Sequence, residues 1–370
     1  MPFKTLNMRI FRGFHHPQLA SACALTVGNF DGVHRGHQAM LATLRSEARH
    51  RGVPSCVLTF EPHPRDYFAA LQNKPQLAPA RITHLRDKLA ELERCGIDQC
   101  VVLRFDAQLA ALSAHDFVDQ VLVRGLGVKY VLVGDDFKFG AKRAGDYAML
   151  SRVGSQLGFD VAKMNSYEIA IPVSQDIQGI QDIQGFQSVA LASSANNAHS
   201  PHSALVRVSS SAVRQALEQG HMDVAQKLLG RAYTISGHVV YGRQLGRSLN
   251  ARTLNVRFRP QRAATQGIFV VKVHGLTQEP LAGVANFGVR PSLSPTDKNQ
   301  GQILLETHCL SWPTSLGLEG AYGRGVQIEL LHKLHDELKY ESLAALESGI
   351  AKDCADALQW HAHHGQSSTA

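Results

Sequence analysis

His34 and His37 sit three residues apart in the run Gly28-Asn29-Phe30-Asp31-Gly32-Val33-His34-Arg35-Gly36-His37. If a helix has begun by His34, the two imidazoles share one face and reach the same phosphate. Beside a helix N-terminus, two imidazole donors can stabilise charge building on an α-phosphate during in-line attack, with no covalent intermediate. The chemistry this suggests is nucleotidyl transfer.

The elements that must position these histidines are legible around them. Ala24-Leu25-Thr26-Val27 reads as a buried strand, and Gln38 to Leu44 carries apolar residues three and four apart, as an amphipathic helix does. The glycines therefore fall where strand turns into helix. Gly28, Gly32 and Gly36 let the backbone approach a ligand closely, and the helix start offers free N–H groups to an anion. Gly28, Asn29, Phe30, Asp31 and Gly32 are accordingly expected to line an ATP phosphate site.

Further along, Thr59-Phe60-Glu61-Pro62-His63-Pro64 follows the strand-like Ser55 to Leu58. Its two prolines stiffen a loop that presents an acid and a histidine at the sheet edge. Val131-Leu132-Val133 is another buried strand, ended by Gly134-Asp135-Asp136 next to Phe137 and Phe139. The carboxylates can hold Mg²⁺ or ribose hydroxyls, and a phenyl ring can pack on a planar ring. Ser209-Ser210-Ser211 precedes a helical run with Arg214 one turn inside, which places the serines as N-caps. A rigid structural loop is the lesser alternative for Thr59 to Pro64, and a plain cap is one for a single serine.

Helical and strand-like runs alternate between residues 40 and 160. Ile82 to Arg94 and His115 to Leu122 read as helices, Gln99 to Arg104 and Tyr130 to Val133 as strands. Such alternation predicts a parallel sheet wrapped by helices, with ligands at the carboxyl ends of its strands. From Arg231 the pattern changes to short strands with glycine turns: Thr234 to Tyr241, Gly267 to Val273, Leu281 to Phe287, Ile303 to Leu310 and Val326 to Leu331. A helical tail follows from about Ser342 to Trp360. A small antiparallel barrel with a terminal helix is expected.

Between these halves, Ser174 to Leu205 contains the tandem hexapeptides Gln175 to Ile180 and Gln181 to Phe186, then a tract rich in Ser, Ala, Asn and His. Two copies are too few for a solenoid, and the composition predicts a flexible insertion. The expected organisation is a first domain over 1–222, with a disordered insertion at 174–204, and a second over 231–364. Met8-Arg9-Ile10-Phe11 looks like a first strand, which makes Met8 an alternative start.

Composition bounds the function. At 370 residues with 44% hydrophobic content, the chain can fill two or three cores. Its net charge of +7 has no dense Lys/Arg run and suits polyphosphate ligands better than nucleic acid. The barrel segment also lacks interleaved basic and aromatic residues for strand binding. The six cysteines show neither CxxC pairs nor metal spacing and read as reduced core thiols. No stretch suits a membrane span or an apolar leader, so a cytoplasmic protein without membrane partners is expected.

Taken in order, the N-terminal motifs resemble the HxGH nucleotidyltransferase superfamily, in particular the adenylyltransferase module of bacterial bifunctional riboflavin kinase/FMN adenylyltransferases. Val133 to Gly140 and Gly145-Asp146 belong to that match. The resemblance implies that Glu61, Pro62, His63 and Pro64 wall a flavin site together with Asp135, Asp136, Phe137 and Phe139. It assigns pyrophosphate to the loop of Ser209, Ser210, Ser211 and Arg214, with Arg214 as a bidentate donor.

The second half resembles the riboflavin kinase module of the same enzymes through Gly237-His238-Val239-Val240, Gly242, Gly246-Arg247, Thr253, Asn255, Gly283 to Ser292, Glu306-Thr307-His308 and Tyr322-Gly323. Glu306 aligns with the family's general base. Thr253 and Asn255, two apart on an extended segment, point the same way and can hold Mg²⁺ and ATP oxygens. Gly242, Gly246 and Arg247 would shape the ATP phosphate loop. On residue type alone, Glu306 is an outward strand residue and the Thr/Asn pair a turn maker. Where the family reads Gly-Phe-Pro, this chain has Asn250-Ala251-Arg252, and His335 stands where Arg is common.

The resemblance implies ATP-dependent phosphorylation of riboflavin to FMN in the barrel and adenylylation of FMN to FAD in the first domain. The alternative is an FMN adenylyltransferase whose barrel only binds flavin or regulates.

Overall fold

The computed structural model describes residues 8–172, 186–188, 203–240, 253–260, 262–289, 302–317 and 320–364. Its N-terminal half is a six-stranded parallel sheet in the order β1-β4-β3-β2-β5-β6. The strands are β1 (Arg9–Arg12), β2 (Cys23–Val27), β3 (Ser55–Glu61), β4 (Gln99–Arg104), β5 (Val128–Gly134) and β6 (Asp160–Met164). Every residue of β2 is buried, as expected for a parallel strand covered on both faces.

Helices α1 (Arg35–His50), α2 (Pro64–Leu71) and α3 (Leu85–Arg94) come from the first crossovers. Two short helices follow, α4 (Ala107–Ala111) and α5 (Ala114–Asp116), the latter widening into a π-type turn over Phe117–Gly125, and then α6 (Tyr147–Leu157). Apolar side chains fill both faces of the sheet. Val57, Leu132, Leu41, Leu44 and Leu92 pack on one, and Leu25, Leu58, Val101, Val121 and Val131 on the other.

A second, antiparallel sheet joins β7 (Glu168–Pro172), β9 (Ser203–Arg207) and β8 (Phe186–Ser188) in the order β7-β9-β8. Phe186–Ser188 lies inside the region expected to be a disordered insertion, and it pairs with β9 from Val206 to Ala204. At three residues it is too short to carry a readable strand pattern. The rest of the tandem hexapeptides lies outside the described residues. Helices α7 (Ser210–Glu218) and α8 (Met222–Leu229) then lead to the second half.

That half is a closed antiparallel barrel, in the order β10-β11-β14-β13-β12-β15. Its strands are β10 (Tyr233–Val240), β11 (Thr253–Phe258), β12 (Gly267–His274), β13 (Leu281–Val289), β14 (Ile303–Cys309) and β15 (Gly325–His335). Closure needs β11, a sixth strand beyond the five expected. Leu254, Val256 and Phe258 alternate inward along it, yet Thr253 and Asn255 had marked the segment only as a carrier of ligands. The tail helix, Leu343–His364, extends past Trp360 and packs Ala357 against Val270 and Val284.

The two halves share one core. Val213, Leu217 and Leu228 of α7 and α8 pack in the same cluster as Tyr233, Val256, Phe269 and Phe287 of the barrel. Hydrogen bonds fix the junction as well: Tyr233 Oη donates to the Ile82 carbonyl at 2.9 Å, and the Arg81 N–H donates to the Arg262 carbonyl at 2.8 Å.

Candidate functional site

The Gly28–His37 run caps the carboxyl end of β2 and enters α1, as its pattern predicts. His34 is the N-cap rather than a helical residue, and its Nδ1 accepts the His37 N–H at 3.3 Å. Helical spacing therefore does not bring the rings together. The cap turns His34 back over the first turn, so that the imidazoles stack at 3.7 Å with an interplanar angle of 17°. With Nδ1 accepting, the His34 proton sits on Nε2. Phe30 packs against His37 at 4.9 Å.

Backbone strain holds this loop. Phe30 and Val33 have φ of 49° and 40°, uncommon for residues with a Cβ. Gly32 has φ of +85°, and a Cβ there would lie 3.0 Å from Ile82. The cost of such geometry must be met by surrounding bonds, and the Asp31 carboxylate supplies several of them. Its buried carboxylate accepts the N–H groups of Ile82 at 3.2 Å and Thr83 at 3.1 Å, and Arg214 Nη2 at 2.9 Å. Burial would raise its pKa, but Arg81 and Arg214 hold it below the usual carboxylate value. Asp31 thus organises the loop from beneath, its oxygens spent on internal partners rather than on a nucleotide.

Helix α7 closes one side. Ser209 caps it through the Ala212 N–H, and Ser210 Oγ donates to the Asp31 carbonyl at 2.9 Å. Ser211 is exposed. Arg214 spends Nε on the Ala80 carbonyl at 2.7 Å and Nη2 on Asp31. Within this structure the bidentate grip expected on pyrophosphate is directed at the protein itself.

At the end of β3, the expected loop is strand as far as Glu61, then a cis Glu61–Pro62 bond, and α2 from Pro64. His63 caps α2, and burial together with Arg81 brings its pKa down to about 3. Burial, then Lys88 and Arg214, likewise take His37 to about 3, and His34 is pushed well down by burial and by His37. All three imidazoles are neutral near pH 7.

Asp135 and Asp136 are both exposed, and Asp135 accepts Ser166 Oγ at 2.6 Å and Arg207 Nη2 at 3.1 Å. Phe139 is a core residue stacked on Phe137 at 5.4 Å, which leaves Phe137, partly buried, as the ring able to meet a ligand.

Sequence reasoning missed three cations. Arg81 is 3% exposed and lies 3.0 Å from Asp66, 3.8 Å from Asp31 and 4.0 Å from Glu61. Arg231 Nη2 donates to the Gly32 carbonyl at 2.7 Å and Nη1 to the Val33 carbonyl at 3.2 Å. Lys88 is fully buried and donates to Thr59 Oγ1 at 3.3 Å, with no carboxylate within 4.0 Å among the described residues. Its signal was its phase: Leu85, Lys88 and Leu92 fall on one helix face, and α3 buries Lys88 and Leu92.

Around the same loop, Asn29 Oδ1, His37 Nδ1, Glu61 Oε2, Asp66 Oδ1 and Arg81 Nε are buried without a hydrogen-bond partner. Buried polar atoms are normally satisfied, so such a gathering marks a place where a polar ligand completes the network.

On the barrel, Glu306 lies opposite Asn255 on β11 and opposite Asn286 on β13, and Asn255 lies opposite Val240 on β10. Thr253 and Asn255 share the outward face, as expected, with Leu254 turned into the core. Asn286 Nδ2 donates to Glu337 at 3.2 Å, and Asn286 Oδ1 is buried without a partner. Gly242, Gly246, Arg247 and Asn250 to Arg252 lie outside the described residues. His335 holds Asp353 of the tail helix at 2.8 Å.

Residues 16–175 match the FAD synthetase family model, and residues 229–361 match the riboflavin kinase family model. The bifunctional riboflavin kinase/FMN adenylyltransferase of Escherichia coli strain K12 is 39% identical over 348 residues, 94% of this chain and 96% of the relative. The chain belongs to this bifunctional family. Members from Pseudomonas fluorescens and Haemophilus influenzae are 37% and 36% identical, each across at least 94% of this chain and 97% of its own length. A solved structure titled as a macrolide-efflux protein from Streptococcus pneumoniae superposes with a TM-score of 0.65, over 96% of this chain and 99% of that one. At 21% identity it bears on the fold alone.

This single chain thus carries both riboflavin kinase and FMN adenylyltransferase activities, and a barrel that only binds flavin is not favoured. Both families use ATP with a divalent metal. No helix among the described residues is long and apolar enough to cross a membrane.

Proposed function

We propose that adenylyl transfer takes place over the Gly28–His37 loop and riboflavin phosphorylation over the row of Asn255, Glu306 and Asn286. The observation that carries the first assignment is the stacked, neutral His34–His37 pair at the start of α1, ringed by buried polar atoms without partners. A phosphate oxygen of FMN attacks the α-phosphorus of ATP, the bond to the bridging oxygen breaks, and pyrophosphate leaves with the electron pair. His34 Nε2–H and His37 face the charge that grows on the α-phosphate, in a site that excludes water. Ser210, Ser211 and Arg214 at the start of α7 receive pyrophosphate, which requires Arg214 to exchange a protein partner for the product. Glu61 to Pro64, Asp136 and Phe137 border the flavin.

In the barrel, Glu306 takes the proton of the ribityl hydroxyl as its oxygen attacks the γ-phosphorus, and ADP leaves. Thr253 and Asn255 offer neutral oxygens, which fit Mg²⁺, an ion usually held by few side chains plus substrate phosphates. When bound, it supplies neutralisation of phosphate charge. The six thiols, none in a disulfide, fit a reducing, cytoplasmic setting.

Reciprocal loss tests the assignment. His37→Ala lowers FAD formation from supplied FMN by about 10²–10³-fold, as for loss of one charge-stabilising donor, and spares FMN formation. Glu306→Gln lowers FMN formation by about 10²–10⁴-fold, the range for a general base, and spares FAD formation. A parallel fall of both rates in either folded variant refutes the separate sites.

A further inference from the structure

Between the two proposed sites, and resting on that assignment, lies a groove of about 660 Å³. One wall comes from the end of β3 and the start of α3, with Glu61, Arg81 and Arg86. The other is the outer surface of β10 and β11, with His238, Arg257 and Arg259. The hydrogen bonds and shared core described above fix these walls, and His84 Nε2 adds a contact to the Ser236 carbonyl at 2.7 Å.

The walls differ in charge. Arg81 is matched by Asp31 and Asp66. On the barrel side, the exposed Arg257 and Arg259 have no carboxylate within 4.0 Å among the described residues. Across the gap, Arg86 Nη1 donates to His238 Nδ1 at 3.3 Å, which ties the two walls together. An anion would complete Arg257 and Arg259.

Strand register connects the groove to both sites. Arg257 follows Asn255 by two residues on the same outward face of β11, a step of about 7 Å, and Asn255 is opposite Glu306. At its other end the groove reaches Glu61 and Arg81, the latter 3.8 Å from the Asp31 that organises the histidine loop. The product of the barrel is the acceptor of the first domain. FMN differs from riboflavin by a phosphate of about −1.5 to −2 charge, so a basic groove retains the product and not its precursor. Its volume is in the range of about 300–1,000 Å³ usual for small-molecule sites, and guanidinium groups suit both phosphate and flat aromatic rings.

We propose that this junction groove is an FMN-holding subsite, in which Arg257 and Arg259 take the phosphate as FMN passes from the barrel to the adenylyl-transfer cleft. The test is isotope dilution on the full-length protein. Labelled riboflavin, ATP and Mg²⁺ are supplied together with an excess of unlabelled FMN, and the specific label of FAD is compared with that of free FMN. The unaltered protein gives FAD enriched severalfold over the pool. The double variant Arg257→Glu/Arg259→Glu gives FAD equal to the pool, while each single reaction, run from riboflavin or from saturating FMN, keeps its rate. Arg257→Lys/Arg259→Lys retains most of the enrichment. FAD equal to the pool in the unaltered protein, or enrichment surviving the charge reversal, overturns the proposal. Absence of either single reaction in the unaltered protein overturns the two-site assignment itself, and this inference with it.

Discussion

The two proposed nucleotide sites solve the same problem on opposite kinds of surface. In the first domain, charge is taken out of water: Asp31, Arg81 and Lys88 are each at most 3% exposed, and the histidines beside them are neutral. In the barrel, Thr253 and Glu306 lie on an outward face of antiparallel strands, and the atoms proposed to meet the ligand are neutral oxygens and one accessible carboxylate. A parallel sheet buries both faces and leaves only its strand ends for a ligand, so the site must be built inside the protein. An antiparallel barrel keeps its core inside and can put chemistry on its outer wall. The buried site is preorganised and sensitive to every partner, whereas the open site depends more on what arrives with ATP.

The contrast can be broken most sharply at Asp31. Removing one partner of a buried ion pair costs about 3–5 kcal/mol, so Asp31→Asn should lower unfolding free energy by that amount in urea titration and abolish adenylyl transfer. Kinase activity, assayed well below the transition, should persist. An equal loss at the barrel would mean that the two surfaces are not independent.

Lys88→Met comes next and has an unusual sign. A buried ammonium with a single hydroxyl partner destabilises the empty protein, so its apolar replacement should leave the melting temperature unchanged or raise it. The ATP-induced rise in melting temperature should shrink, and the KM for ATP in adenylyl transfer should increase. A large drop in stability with normal ATP response would make Lys88 a purely structural residue.

The smallest effect is expected at the tail helix. Burial opposes protonation of His335, but its hydrogen bond to Asp353 and that residue's charge hold its pKa above the ordinary value. A histidine raised in the folded state stabilises fully below its unfolded pKa near 6.5, and that contribution fades as pH rises through the folded value. His335→Gln should therefore lower the melting temperature at pH 6 and change it little at pH 8.5. A deficit independent of pH would assign the contact to packing alone.

Much of this was legible in the residues. The strand-glycine-helix run fixed the place of the histidines, Gln99 to Arg104 was read with its observed bounds, and the change of periodicity after Arg231 marked the barrel. What escaped was tertiary. The His34 ring turns back because it caps α1, which helical spacing cannot reveal. Phe139 is core because Phe117 reaches it from the π-type turn after α5, while Phe137 stacks on it within the same loop. Asp31 reads as a ligand until Ile82, Thr83 and Arg214, distant in the chain, are seen to use its oxygens.

Arg231 gives the architecture a timetable. The parallel sheet is complete once Met164 has been made, but the Gly32 carbonyl receives its side-chain donor, and the Val33 carbonyl a second one beside Gln38, from a residue 67 positions further along the chain. At about 5–20 residues per second of synthesis, the completed sheet waits roughly 3–13 s before the loop's last clamp is made. A nascent first domain thus spends that interval with the proposed nucleotide loop unclamped, and the clamp arrives together with the first strand of the barrel.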